Sequence, residues 1–234
     1  ESSVQINGID HNNRGAFNYS MAGFPIHGGY TTDATSDGFS PQFIVDDAIG
    51  YWKGSPNSLL TQVLGTVQPD AFNMWHEDCT HCLGEKVNSY AEYKETDWDS
   101  FSADLTFNKV GEDYANLQIY WVIEYTDQAA GYAPTSANKF AQVDPIYIEL
   151  GSSDGYGTWQ PHSWASLIII TAHEIGHVMG FAHDGNPDSL MYSPGAGAGF
   201  TIPNIEFGTV ELTKEMAGGD TWSIPAFTSR DKTN

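Results

Sequence analysis

The alternation of hydrophobic and polar positions predicts three strands in the middle of the chain. In LQIYWVIEY, residues 117–125, large apolar side chains recur at every second position from Leu117 to Tyr125. That period of two is typical of a strand with one buried face. LTFNKV at 105–110 and PIYIEL at 145–150 are the other two strand candidates.

Helical spacing of apolar residues predicts three helices. Ser40 and Pro41 precede FIVDDAIGYW and supply a capping side chain and a first-turn proline. A second helix is predicted after a Ser163 cap, through WASLIIITAHEIGHVMG, and it should be buried because it is apolar nearly all round. A short third helix is predicted near Leu212–Ala217.

The distribution of these elements predicts an α+β chain with one main domain. Residues 1–15 are polar and predict an N-terminal arm, and residues 16–234 form the domain. Within it, 16–183 would form an upper sheet-and-helix subdomain, with a candidate insertion at 53–103. Residues 184–234 are rich in Gly, Pro and Ser and predict a small irregular lower subdomain, with a cleft between the two.

The charge balance excludes several classes of partner. The chain of 234 residues carries 30 acidic and 9 scattered basic residues, a net charge of −21. Nucleic acid needs clustered Lys and Arg, so no nucleic-acid partner is expected. Anionic membranes and acidic substrates are disfavoured for the same reason. No apolar run reaches the length of a membrane span. Solubility, calcium binding and life in high salt all remain open as explanations of the charge.

The segment HEIGHVMGFAHD carries the candidate chemistry. His173 and His177 are four residues apart, so in a helix they lie on one face and can bind one metal ion together. Gly180 lets the chain leave the helix sharply, which would bring His183 round as a third ligand. Glu174 can face the same metal without binding it.

Three neutral imidazoles on zinc leave one coordination position open, which is the catalytic arrangement. A water in that position has its pKa lowered to roughly 7, and Glu174 could accept its proton and pass it to a leaving amine. Those parts suffice for peptide-bond hydrolysis. The alternatives are a core helix with satisfied histidines and a metal site without turnover.

HEIGHVMGFAHD and the later DSLMYS together resemble the metzincin clan of zinc metalloproteases. Met191 stands eight residues after His183, and this short gap with Ser-Leu-Met-Tyr is similar to the matrixins, the matrix metalloproteinase family. The specific match covers 164–193 and a looser one covers 15–217. The resemblance implies a metzincin-like fold with a twisted mixed sheet of about five strands and about three main helices. It also implies an exported, monomeric endopeptidase that binds extended polypeptides by strand addition along the upper rim of the cleft.

The resemblance also implies roles for individual residues. His173, His177 and His183 would bind zinc, Glu174 would be the general base, and Met191 would lie beneath the ligands in the Met-turn. A pocket for the side chain beyond the cleaved bond would be shaped by Tyr192, Ser193 and Pro194.

The chain departs from the matrixin pattern at two places. Asp184 stands where matrixins usually have serine; it would tie the third ligand's loop to the C-terminal helix, or simply lie at the surface. Between Leu117 and the ligand helix only His162 could serve the structural zinc site of matrixins, so that site is expected to be missing.

Two weaker signals remain. Cys79 and Cys82 form a CxxC pair, for which a disulfide is preferred over metal binding with His76 or His81. Calcium could be bound by acidic residues near glycine-bearing turns, although solvated acidic loops are the favoured interpretation. Those residues are Asp33, Asp37, Asp144, Glu149 and Asp154. The rival functions are a binding or adhesion module that keeps zinc for stability, and a hydrolase of short peptides only.

Overall fold

The computed structural model describes residues 5–6, 9–10, 16–67, 105–124, 130–133, 144–178, 183, 187–192, 210–212 and 222–224. The strands in chain order are β1 (Gln5–Ile6), β2 (Ile9–Asp10), β3 (Ala16–Met21), β4 (Thr106–Lys109), β5 (Leu117–Val122), β6 (Gly131–Tyr132), β7 (Asp144–Glu149), β8 (Gly151–Ser153), β9 (Trp159–Pro161), β10 (Val210–Leu212) and β11 (Trp222–Ile224). The helices are α1 (Pro41–Trp52), α2 (Leu59–Leu64) and α3 (Trp164–Val178), and Glu112–Tyr114 form a 3-10 turn.

A mixed five-stranded sheet organises the fold, in the order β4-β3-β5-β7-β6. Neighbouring strands are parallel from β4 to β7, and β6 pairs with β7 in the antiparallel sense at one edge. This confirms the predicted mixed sheet, and the three predicted strands became β4, β5 and β7. Two more strands, β3 and β6, were not predicted, because β6 has two residues and β3 follows a polar segment.

The period of two in β5 correctly identifies its buried face. Leu117, Ile119 and Trp121 are buried, and the residues between them are half-buried. The strand is shorter than predicted, because it ends at Val122 and Ile123 beyond it is exposed.

Both major helices begin where their capping residues predict. The Ser40 hydroxyl accepts a hydrogen bond from the Phe43 N–H at 3.1 Å, which starts α1. The Ser163 hydroxyl accepts one from the Ser166 N–H at 3.2 Å, which starts α3. All 15 residues of α3 are buried, as its apolar sequence predicts.

Helix α3 packs against α1 on one side and against β7 on the other. The Trp52 indole N–H at the end of α1 donates to the Ala172 carbonyl oxygen at 2.8 Å, which fixes the two helices together. The histidine-bearing helix therefore packs within the core, in contact with both α1 and the sheet.

The C-terminal region differs from its prediction. Leu212 ends β10, which pairs with β11 so that Leu212 lies opposite Trp222. The helix predicted near Leu212–Ala217 is thus wrong at its first residue, because cross-strand pairing outweighs a weak local helical preference. Residues 213–217 lie outside the described part, and the division into upper and lower subdomains stays a prediction. In the described ranges, no helix is both long and apolar enough to cross a membrane.

Candidate metal centre

Three histidine side chains converge at the end of α3. His173 and His177 lie one turn apart on the helix, and His183 approaches from beyond it. One nitrogen from each ring lies within 4.8 Å of the others, and His177 Nε2 is 3.0 Å from His183 Nε2. Nitrogen ligands about 2 Å from a tetrahedral zinc are roughly 3.3 Å apart, so the His177–His183 distance is close to that spacing and the three histidines together could hold one ion.

A backbone carbonyl orients the first of these rings. The His173 Nδ1–H donates a hydrogen bond to the Leu190 carbonyl oxygen at 2.7 Å. Because a carbonyl can only accept, the proton lies on Nδ1 and the lone pair on Nε2 remains for a metal. The sequence analysis did not identify this partner; its one signal is the position of Leu190 directly before Met191.

Burial favours the neutral form that a metal requires in two of these imidazoles, His173 and His183. It lowers the pKa of His173 to about 4, with a smaller contribution from nearby His183, against the opposing hydrogen bond to Leu190. Burial also lowers the pKa of His183. Neutral rings at pH 7 can bind a cation without first releasing a proton.

Glu174 lies beside the histidines but is not part of the potential ligand group. It is 5% exposed, and burial raises the pKa of its carboxyl group to about 8. Its side chain packs against the backbone of Gly131 in β6, a neighbour that the sequence analysis missed. The site thus combines three histidine nitrogen donors with one carboxyl group that holds its proton tightly.

Met191 is fully buried against helix α3, within a turn of the chain at 187–192. Its backbone N–H donates to the Ser189 hydroxyl at 3.2 Å. A Cβ atom built on Gly176 would lie 2.6 Å from the Met191 sulfur and 2.7 Å from Trp52 Cζ2. Met191 therefore reaches the ligand helix only because position 176, which the sequence analysis did not single out, has no side chain.

The remaining predicted site residues divide into two groups. Tyr192 is half-buried in the same turn. The others lie outside the described residues, as do Cys79 and Cys82, and their roles stay predictions. The predicted site residues outside the described ranges are Gly180, Asp184, Ser193 and Pro194.

Three of the five acidic calcium candidates, Asp37, Asp154 and Glu149, make other contacts. Asp37 accepts from the Trp164 N–H at the start of α3, and Asp154 accepts from two N–H groups in the β8–β9 turn. Glu149 lies 3.0 Å from the ring of His162, buried with it. Within the described ranges, one group of three or more side chains could hold a metal ion, and the three histidines form it. Calcium binding stays a prediction.

Comparison with known proteins gives the following matches. The family model for matrixin matches residues 55–196. Stromelysin-2 of Rattus norvegicus is 28% identical over 111 residues, which is 46% of this chain and 23% of that protein. Stromelysin-1 of Rattus norvegicus is 29% identical over 120 residues, with the same shares of 46% and 23%. The chain thus matches less than a quarter of the length of these relatives. Among solved structures, the GM1-bound form of the ECX AB5 holotoxin aligns with a TM-score of 0.33 at 12% identity over 72% of this chain and 52% of that one, a likeness too weak to carry any argument.

Proposed function

The chain belongs to the matrixin family, and we propose that it is a secreted zinc-dependent endopeptidase that hydrolyses polypeptides. The observation that carries this proposal is the convergence of three histidine nitrogens within 4.8 Å beside a buried glutamate. A matrixin domain indicates a metalloendopeptidase in general; the particular residues and their roles are proposed from the geometry.

His173, His177 and His183 would hold the zinc ion through three neutral nitrogens, which leaves a coordination position open. When bound, zinc would supply a Lewis acid that polarises the scissile carbonyl and lowers the pKa of a coordinated water. Leu190 would keep the first ligand ring in its tautomer and orientation.

Glu174 would carry the proton through the reaction. Its carboxylate accepts the proton of the attacking water and then donates it to the nitrogen of the leaving amine. Burial raises its pKa to about 8, so it holds a proton far more tightly than an exposed glutamate does. A cation nearby lowers that pKa again, which favours the charged form that must first accept the proton.

The substrate would bind in an extended form along β6. This strand lies at the edge of the sheet, with β7 on its other side. Its Gly131 packs against Glu174, so a peptide paired with this edge would pass close to the carboxylate. Tyr192, Ser193 and Pro194 would shape the pocket for the side chain beyond the cleaved bond.

The central experiment measures cleavage and metal content together. Purified protein should cleave casein or a quenched peptide, lose that activity with a chelator, and regain it with zinc. Glu174→Ala should lower kcat by at least about 100-fold with zinc still bound, because it removes the proton carrier and no ligand. His177→Ala, as the matched ligand variant, should lose both zinc and activity.

The outcomes separate the alternatives. If Glu174→Ala cleaves as fast as the parent, Glu174 is not the base. A protein that binds zinc but cleaves nothing would be a zinc-stabilised binding module. Activity on short peptides without activity on proteins would indicate a hydrolase of short substrates only.

A further inference from the structure

We infer that Gly131 is a positioning residue for Glu174: the missing side chain on β6 creates the space in which the carboxyl group of Glu174 is held. This inference rests on the proposed role of Glu174 and adds a second residue, on a different element, to the hydrolytic site.

The three atoms nearest to a side chain added at Gly131 all belong to Glu174. A Cβ atom built on Gly131 would lie 2.5 Å from Glu174 Oε1, 2.8 Å from its Cδ and 2.8 Å from its Cγ. Carbon atoms of non-bonded groups do not approach so closely, since their optimal separation is about 3.5–4.0 Å. Any side chain at position 131 must therefore displace the carboxyl group or the strand.

The strand and the helix both resist such a displacement. Gly131 pairs with Ile148 of β7, which is fully buried, and the neighbouring Ala130 carbonyl accepts from the Glu149 N–H at 2.8 Å. On the other side, every residue of α3 is buried. The terminal atoms of Glu174 are thus easier to displace than the strand or the helix, and they would move first.

Backbone conformation does not explain a glycine at this position. The glycines with positive φ in the described ranges are Gly28, Gly29, Gly38, Gly54, Gly65 and Gly157, and Gly131 is not among them. Other residues could adopt its backbone angles, so the requirement for glycine comes from the space that Glu174 occupies.

Packing against Gly131 helps to position the carboxyl group of Glu174. The atoms of Glu174 that lie against Gly131 are one carboxyl oxygen, the carboxyl carbon and Cγ, which form the reacting end of the side chain. The shape of this contact therefore contributes to the position of the carboxyl group. A displacement of about 1 Å at a reacting group can lower the rate by about 100-fold.

The first test is the kinetics of Gly131→Ala with zinc measured in the same sample. We expect kcat on a quenched peptide to fall by about 100-fold, with KM changed by less than about threefold. Zinc affinity, measured by competition with a chelator, should stay within about twofold of the parent, because the three histidine rings are untouched. Gly155→Ala is the control, since nothing lies within 4 Å of its added methyl group. Unchanged kcat in Gly131→Ala, or loss of zinc together with activity, would overturn the inference.

A melting experiment tests the same contact without any turnover. Gly131→Ala should lower the melting temperature of the parent by roughly 2–6 °C, as overpacking does. In a Glu174→Ala background the same substitution should change it by less than about 1 °C, because the clashing atoms are gone. Additive shifts in the two backgrounds would show that Gly131 does not hold Glu174. Because the melting cycle needs no activity, it separates failure of this inference from failure of the proposed peptidase function.

Discussion

The packing of Met191 beneath the ligand helix predicts that Gly176→Ala destabilises the protein and weakens zinc binding. An added methyl group would lie 2.6 Å from the Met191 sulfur and 2.7 Å from Trp52 Cζ2. The sulfur could move, but the indole could not move easily, because its N–H is bonded to the Ala172 carbonyl oxygen at 2.8 Å. The substitution therefore forces the helix and the Met191 turn apart.

Two opposing effects set the magnitude. Alanine is more favourable than glycine inside a helix by about 1 kcal/mol. Overpacking of a buried site costs about 1–3 kcal/mol, and two contacts below 3.0 Å, one of them to a fixed ring, place Gly176→Ala near the upper end. We expect a net loss of about 1–2 kcal/mol, which lowers the melting temperature by roughly 2–8 °C for a chain of this size.

The same displacement should also weaken zinc binding. Leu190 precedes Met191, and its carbonyl oxygen accepts the hydrogen bond that orients His173 at 2.7 Å. Loss of such an orienting contact lowers metal affinity by about 10-fold to 100-fold.

Thermal melting with chelator and with zinc would measure both effects. Gly111→Ala is the control, because its methyl group would meet only Tyr114 Cδ2 at 3.8 Å. If Gly176→Ala instead raises stability by about 1 kcal/mol, as helix preference alone predicts, the packing argument is refuted.

Three further predictions concern stability. Zinc at 100 times its Kd should stabilise the parent by about 2.7 kcal/mol relative to chelator, and His177→Ala should abolish that gain in a melting assay. Burial raises the pKa of Asp47, which caps α2 through backbone N–H groups, from 3.8 to about 6. Since the folded state binds this proton more tightly, stability from this group is present below pH 4 and is lost as the pH rises through 6. Relative to Asp47→Asn, the parent should lose roughly 2 kcal/mol between pH 4 and pH 7, and a pH-independent difference in denaturant unfolding would contradict this. Ser163→Ala should lower the free energy of unfolding by about 1 kcal/mol, because it removes the cap on α3. An unchanged melting temperature would contradict this and would mean that the hydrogen bond from the Trp164 N–H to Asp37 is enough to hold the helix start.

Local patterns identified the elements whose signals lie within a few residues. The caps at Ser40 and Ser163 fixed the starts of α1 and α3, and the spacing of His173 and His177 placed two potential ligands on one face. Such signals depend on neighbouring residues in the sequence, so they can be interpreted without the fold.

Contacts between distant residues could not be predicted in this way. Gly131 and Glu174 are 43 residues apart in the sequence, and nothing in either segment indicates the other. The Leu190 carbonyl is a backbone group, so its one signal in the sequence is its place directly before Met191. Leu212 was assigned to a helix because its partner Trp222 lies outside any local window.

One property of the sequence links the fold to the chemistry more directly than the motif does. The run of apolar residues through α3 buries the helix on every side. That burial lowers the pKa of His173 and raises the pKa of Glu174, because it disfavours the charged form of each. The same apolar environment therefore favours the neutral form of a candidate ligand, His173, and raises the proton affinity of the adjacent carboxyl group. An equally well-formed helix with a polar face would retain the histidine spacing but would lose both shifts.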